Sequence, residues 1–151
     1  MKKLLLVLLA LPLLFSCGGS LDKERSSEMS DEIPVDGGNQ TAEDYFNKSK
    51  DYVENEQYQL AIDNLTAALK INPDFALAYY NRGNAYYDLE NYTAAIADFT
   101  SAIKIDPDAA DAYRNRGIAK ENAGQSYCSD YKKACDLGVE VCCEWYYKQC
   151  R

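Results

Sequence analysis

Five cysteines crowd the last quarter of this 151-residue chain, at Cys128, Cys135, Cys142, Cys143 and Cys150; a sixth, Cys17, stands alone near the start. Thiols at that density pair as disulfides, hold a metal or exchange electrons. Electron exchange favours a CxxC spacing, and the chain has none. A zinc site would have to be made of thiolates alone, because there is no histidine anywhere. Structural pairing is the reading these spacings favour, with no metal and no cofactor expected. Other chemistry is poorly provided for: there is no phosphate loop, no serine or cysteine beside a candidate base in a recognisable motif, and the acids are scattered. The chain is not expected to be an enzyme, and no small-molecule substrate is expected.

The cysteines need elements to position them. Helical patterns run over about Tyr127–Leu137 and Glu140–Gln149, joined at Gly138, a natural residue just past a helix end. Facing residues in an antiparallel hairpin have a constant sum of residue numbers. Cys135 with Cys143 gives the same sum as Cys128 with Cys150. Each helix then carries two cysteines seven apart, close to one face. Facing Cα atoms of packed helices lie roughly 4–5 Å apart, which a disulfide tolerates. Two rungs of this kind contribute about 2–4 kcal/mol each. Cys142 is left over, as a free thiol or a bridge to another chain. The pairing Cys135–Cys142 remains open.

At the other end, Lys2 and Lys3 precede an apolar stretch, Leu4–Phe15. That stretch is too short to span a bilayer, which takes about 20 residues, and it reads as a secretory signal. An exported chain meets an oxidising compartment, which suits the disulfides. The signal ends in LLFSC, with Leu14 three residues before Cys17. This resembles the bacterial lipobox. The resemblance implies cleavage before Cys17 and lipidation of Cys17, and Gly18 after it resembles lipoproteins released to the outer membrane. The expected location is therefore the cell envelope, lipid-anchored at the outer membrane. Removing residues 1–16 takes away Lys2 and Lys3 and no acid, so the net charge moves from −8 to −10. Nucleic acid is excluded as a partner, since no basic patch exists to release counterions. Residues 18–41, GGSLDKERSSEMSDEIPVDGGNQT, are rich in Gly, Ser and acids. They cannot bury enough apolar surface to fold and are expected to form a disordered tether. As a flexible coil it spans roughly 25–30 Å, and fully stretched about 80 Å.

Between tether and cysteines the chain repeats. Pro73 and Pro107 lie 34 residues apart, as do Ala61 and Ala95, Ala68 and Ala102, Tyr45 and Tyr79, Tyr52 and Tyr86, Tyr79 and Tyr113, and Gly83 and Gly117. Apolar residues recur at helical spacing within each copy, as in Ala61, Ile62, Leu65, Ala68 and Leu69. Thr41 with Asp44 forms a capping-box pattern before the first helix. Such self-similarity means stacked helix pairs, none able to bury its apolar face alone.

The second copy carries Tyr79, Gly83, Tyr86, Ala95, Phe99, Ala102 and Pro107; the first carries Tyr45, Ser49, Tyr52, Ala61, Leu65, Ala68 and Pro73. These residues resemble the tetratricopeptide repeat. In a third copy Tyr113 and Gly117 fit, Lys120 replaces a tyrosine, and Tyr131 and Ala134 arrive two residues early. The fold class implied is all-α, an α-solenoid of antiparallel helix pairs behind a signal peptide and disordered tether. The expected domains are a lipoprotein signal (1–16), lipidated cysteine and linker (17–41), repeats (42–75, 76–109 and a divergent 110–138) and a capping helix (139–151). The stretch ACDLGVEVCC, 134–143, resembles cysteine-rich Sel1-like repeats, in which cysteines staple adjacent helices. A terminal repeat must be sealed, and Val141, Trp145 and Tyr146 of the last helix are expected to cover it.

The repeat family implies a concave groove lined by the first helix of each pair. Its groove positions fall on Phe46, Lys50 and Val53, on Tyr80, Asn84 and Tyr87, and on Arg114 and Ile118, with Asn122 nearby. Aromatic, amide and cationic groups together suit an extended peptide. Some members clamp a C-terminal carboxylate with a lysine; Phe46 stands in that place here, and Asp111 also opposes it. The expected function is a membrane-anchored module binding a protein or peptide partner in this groove. Two other readings are a thiol-redox or metal protein using the C-terminal cysteines, and a structural lipoprotein that associates with itself.

Overall fold

The computed structural model describes residues 40–150. The signal segment 1–16, Cys17 and all but the last two residues of the expected tether lie outside them. Among the described residues there are seven helices and no strand: α1 (Ala42–Glu54), α2 (Tyr58–Ile71), α3 (Ala76–Asp88), α4 (Tyr92–Ile105), α5 (Ala110–Asn122), α6 (Cys128–Asp136) and α7 (Glu140–Gln149). Each helix packs on the next, and α3 also touches α5. The architecture is an all-α stack of antiparallel helix pairs, α1/α2, α3/α4 and α5/α6, closed by α7.

Local chemistry sets the helix ends. The Asp44 amide donates to Thr41 Oγ1 at 3.2 Å and the Thr41 amide donates to Asp44 Oδ2 at 2.8 Å. That reciprocal pair is the capping box, and it satisfies two amides the helix itself cannot use. The turn inside each pair places one residue in the left-handed region: Glu56 (φ 57°), Glu90 (φ 58°) and Gly124 (φ 67°). These three sit at 34-residue intervals. Only the third carries the residue that adopts this conformation without penalty. Between pairs, Asn72 and Asp106 leave the helix in extended conformation ahead of Pro73 and Pro107. The Asn72 side chain accepts from the Asp74 amide and the Asp106 side chain from the Asp108 amide, each at 3.1 Å.

Inside each pair a small residue meets a large one. A Cβ placed on Gly83 would lie 2.8 Å from the Phe99 ring, and one on Gly117 would lie 2.7 Å from the Tyr131 ring. The equivalent residue of the first pair is Ser49, buried, with its hydroxyl donating to the Phe46 carbonyl at 2.6 Å. The matching ring position there is Leu65, so a slimmer partner leaves space for a Cβ. Gly83→Ala tests this rule. Helix propensity favours alanine by about 1 kcal/mol. Phe99 is fully buried and cannot yield, and overpacking costs about 1–3 kcal/mol. The expected net result is a loss of up to about 2 kcal/mol by urea denaturation. Ser49→Gly in the first pair should gain nothing in packing and lose both helix propensity and the buried bond to the Phe46 carbonyl.

Tyr131 and Ala134 of the third pair take the places of Phe99 and Ala102, 32 residues on rather than 34. The reason is the connection: residues 123–127 run outside a helix, so α6 has nine residues where α4 has fourteen. Two arginines then tie three consecutive helices each. Arg82 on α3 grips Asp98 on α4 with two bonds of 2.7 and 2.9 Å and reaches Thr66 on α2 at 2.9 Å. Arg116 on α5 grips Asp130 on α6 at 2.6 and 3.2 Å and reaches Thr100 on α4 at 3.1 Å. Lys120 adds a third bond to Asp130, at 2.7 Å. Among the described residues no buried side-chain polar atom lacks a partner.

Candidate functional site

The first helices of the pairs, α1, α3 and α5, carry the candidate groove residues. On α3, Tyr80, Asn84 and Tyr87 are each half-buried and are held from α5. The Asn115 Nδ2 group donates to the Tyr80 hydroxyl at 3.0 Å and to Asn84 Oδ1 at 2.9 Å. Two turns further on, Asn122 Nδ2 donates to the Tyr87 hydroxyl at 2.9 Å. Tyr80 also stacks obliquely on Phe99, with centroids 5.9 Å apart, and Tyr87 on Tyr92 at 5.4 Å. The rings and amides are therefore pre-set, so a ligand would not have to order them.

Asn115 was not among the residues expected to line the groove. Its signal was faint: it falls next to Arg114 and one turn before Ile118, and nothing in its own spacing marks it. With its amino group spent on Tyr80 and Asn84, the expected use of Asn84 is narrowed. Asn84 Oδ1 is occupied, and its Nδ2 is the group left to bond a peptide carbonyl.

Two hollows of about 270 Å³ each flank Tyr80 and Asn84 along α3. The first lies between α1 and α3 and includes Lys50, Val53, Glu54, Asn84 and Asp88. The second lies where α3 meets the α4–α5 connection and includes Leu77, Tyr80, Asp106 and Asp111. Burial pushes the Asp88 carboxyl above its usual range, and among the described residues no cation is paired with it. The Lys50 ammonium turns onto its own helix, 4.6 Å over the Phe46 ring and 3.3 Å from Asn47 Oδ1. Arg114 meets Asp111 at 3.6 Å, and both are well exposed.

The structure corrects Phe46 among the expected groove residues. Phe46 is 8% exposed and sits in the core with Leu65, Leu69 and Ala78, its ring 4.8 Å from Phe75. It faces the next pair rather than a ligand, because a large ring at that turn of α1 is drawn into the α2–α3 contact. Ile118 is half-buried against Tyr131, Ala134 and Cys142. Lys50, Val53 and Arg114 are exposed.

At the far end, Cys128 is bonded to Cys150 and Cys135 to Cys143, with Cα atoms 5.6 and 4.8 Å apart. These rungs orient α7. With Cys143 and Cys150 turned to α6, the residues brought over the stack are Val139, Cys142 and Tyr146. Val141 and Trp145, expected to cover it, are instead 52% and 45% exposed. Trp145 touches the stack only at its edge, 6.4 Å from the Tyr131 ring. Cys142 is a buried free thiol. Burial pushes its thiol up, which leaves little of the thiolate that redox exchange and metal ligation require. The Tyr131 hydroxyl beside it donates to Glu121 at 3.0 Å, and burial raises this phenol as well.

The family model for the tetratricopeptide repeat matches residues 46–110 and 80–125, together more than half of the chain. No curated protein sequence is significantly similar. Among solved structures, the TPR domain of Arabidopsis OM64 is 27% identical, with a TM-score of 0.66, covering 72% of this chain and 95% of that one. The TPR2B domain of yeast Sti1, solved as a complex with pHsp70, is 27% identical with a TM-score of 0.65, covering 71% and 94%. The first TPR domain of Spaghetti (RPAP3), bound to the HSP90 peptide SRMEEVD, is similar in fold at 23% identity, with a TM-score of 0.67 over 74% and 91%.

Proposed function

The chain belongs to the tetratricopeptide repeat family, and from that premise we propose that it is a protein-interaction module whose α1–α3–α5 face forms the groove for an extended peptide of a partner protein. The observation that carries this reading is the pre-set wall of Tyr80, Asn84 and Tyr87, braced by Asn115 and Asn122. Aromatic area with fixed amide groups supplies both contact and backbone hydrogen bonds at little ordering cost. The yeast Sti1 domain, whose structure holds pHsp70, supports a protein or peptide as the partner class.

The same proposal gives the module an address. The LLFSC signal end and the polar residues that follow it support a lipoprotein, anchored through Cys17 in a bacterial outer membrane with the repeats on a tether. The capping segment, with its Sel1-like cysteine spacing, seals the end of the repeats. Cross-linking in cells tests both halves. The wild-type protein is compared with a Tyr80→Ala/Asn84→Ala variant, and captured partners are identified by mass spectrometry. The expected result is at least one envelope protein lost from the variant while helicity by circular dichroism is unchanged. Identical partner sets from both proteins would reject the groove. A Cys17→Ser variant that stays with the membrane fraction would reject the anchor.

A further inference from the structure

We propose that the peptide taken by this face is basic, an extended segment whose lysine or arginine side chains enter the two hollows on either side of Tyr80 and Asn84. The inference rests on the groove reading above and adds the class of ligand. Three observations lead to it.

The first is the division of labour along α3. Asn115 uses its amino group on Tyr80 and Asn84. What faces a ligand is then Asn84 Nδ2, Asn115 Oδ1 and the Tyr80 hydroxyl proton, which are neutral donors and an acceptor. Such groups read peptide backbone and are indifferent to side chains. Sequence preference must come from the hollows.

The second is what the hollows contain. Each is lined by apolar residues together with carboxylates: Val53 and Ala85 with Glu54 and Asp88 in one, where Lys50 also stands, and Leu77 and Ala109 with Asp106 and Asp111 in the other. A long side chain with an aliphatic stem and a cationic head fits both parts at once. Among the described residues Glu54, Asp88 and Asp106 form no ion pair, and the cations near the hollows leave room for another. Lys50 is drawn over Phe46, and Arg114 reaches Asp111 from an exposed position at 3.6 Å. Along the α3 axis the hollows are about 10 Å apart at 1.5 Å per residue, roughly three to four residues of extended chain.

The third is what the face would reject. The peptide SRMEEVD of the Spaghetti complex carries two glutamates and an aspartate. A peptide of that charge has the same sign as the acids of both hollows, and Phe46, at the position of the clamping lysine, is buried. Like charge without a compensating partner costs specificity as well as affinity.

The test pans a random heptapeptide phage library against the immobilised full chain and counter-selects on the Tyr80→Ala variant. The expected Tyr80-dependent peptides carry two or more lysines or arginines and few acids. Measured by fluorescence anisotropy, Asp88→Asn with Asp111→Asn should weaken the best of them about five- to tenfold, since each partly exposed ion pair is worth little alone. Circular dichroism checks that both variants stay folded. Tyr80-dependent peptides that are neutral or acidic, or basic ones unaffected by the double substitution, would overturn the charge inference and leave the groove intact. A selection yielding no Tyr80-dependent peptide would overturn the groove itself.

Discussion

Asp130→Ala should destabilise the protein by about 3–5 kcal/mol, more than the loss of the other buried carboxylate of the stack, Asp98. Asp130 is 3% exposed and accepts from both Arg116 and Lys120. Its removal strands two cations, themselves only 15% and 21% exposed, beside an apolar cluster. Arg116 loses its grip on α6 while keeping its bond to Thr100, so the break falls between α5 and α6. Asp98→Ala, in the pair before, strands Arg82 alone and should cost less. For a domain of this size 3–5 kcal/mol corresponds to a fall in Tm of roughly 12–20 °C. Differential scanning calorimetry of the two variants checks both the size and the order. A loss under 1 kcal/mol at Asp130 would mean that both cations relax into water and that the pair is a surface feature. The variant also bears on binding, because Asn115 sits next to Arg116 and braces Tyr80 and Asn84. Weaker peptide binding is expected even where the protein remains folded.

Much of this architecture was legible from the 34-residue period. Apolar positions that recur at a fixed interval reveal which residues must meet a neighbour, and Tyr79, Ala95, Phe99 and Ala102 do so in sequence as they do in space. The charged ladder obeys the same period, with Thr66 and Thr100, and Arg82 and Arg116, each 34 apart. The period hides it because its third member is displaced. Asp130 follows Asp98 by 32, and the first pair has Lys48 and Asn64 where the ladder would need Arg and Asp. A shortened helix breaks the count without breaking the contact. The groove was less legible still. A position on a helix wheel predicts a face and says nothing of how deeply a ring is pulled in. Phe46 and Tyr80 hold equivalent positions, yet one packs on Phe75 and the other is braced from Asn115. The difference lies in the neighbour across the stack, which a single helix cannot reveal. Rotation of α7 was hidden for a similar reason: Val141 and Trp145 are the more apolar choice, but the rungs at Cys143 and Cys150 set the angle.

Those rungs lead to the second large effect. Reducing both should release α7 from the stack while the first two pairs stay folded. The closed loops span 22 and 8 residues, and chain entropy assigns them about 3 and 2.5 kcal/mol. Their sum is comparable with the stability of a small domain. Little else holds α7. Cys142 is its one buried residue, and a ten-residue helix is not stable alone in water. Stacked repeats exchange energy only with neighbours, so the loss should stay local. In hydrogen exchange with a phosphine reductant, the amides of α7 and then α6 should lose protection first, with α1–α4 little changed. Cys142 supplies an independent readout. In the oxidised protein burial holds its thiol up and out of reach, so alkylation should be slow; after reduction it should be as fast as in a peptide. Release of α7 uncovers Tyr131 and Ala134, an apolar end face that stacked repeats normally seal. The reduced protein should therefore associate at micromolar concentration, as read by sedimentation. Protection of α7 and of Cys142 that survives reduction would show that packing of Val139, Cys142 and Tyr146 suffices, and that the bridges guard against unfolding rather than hold the cap in place.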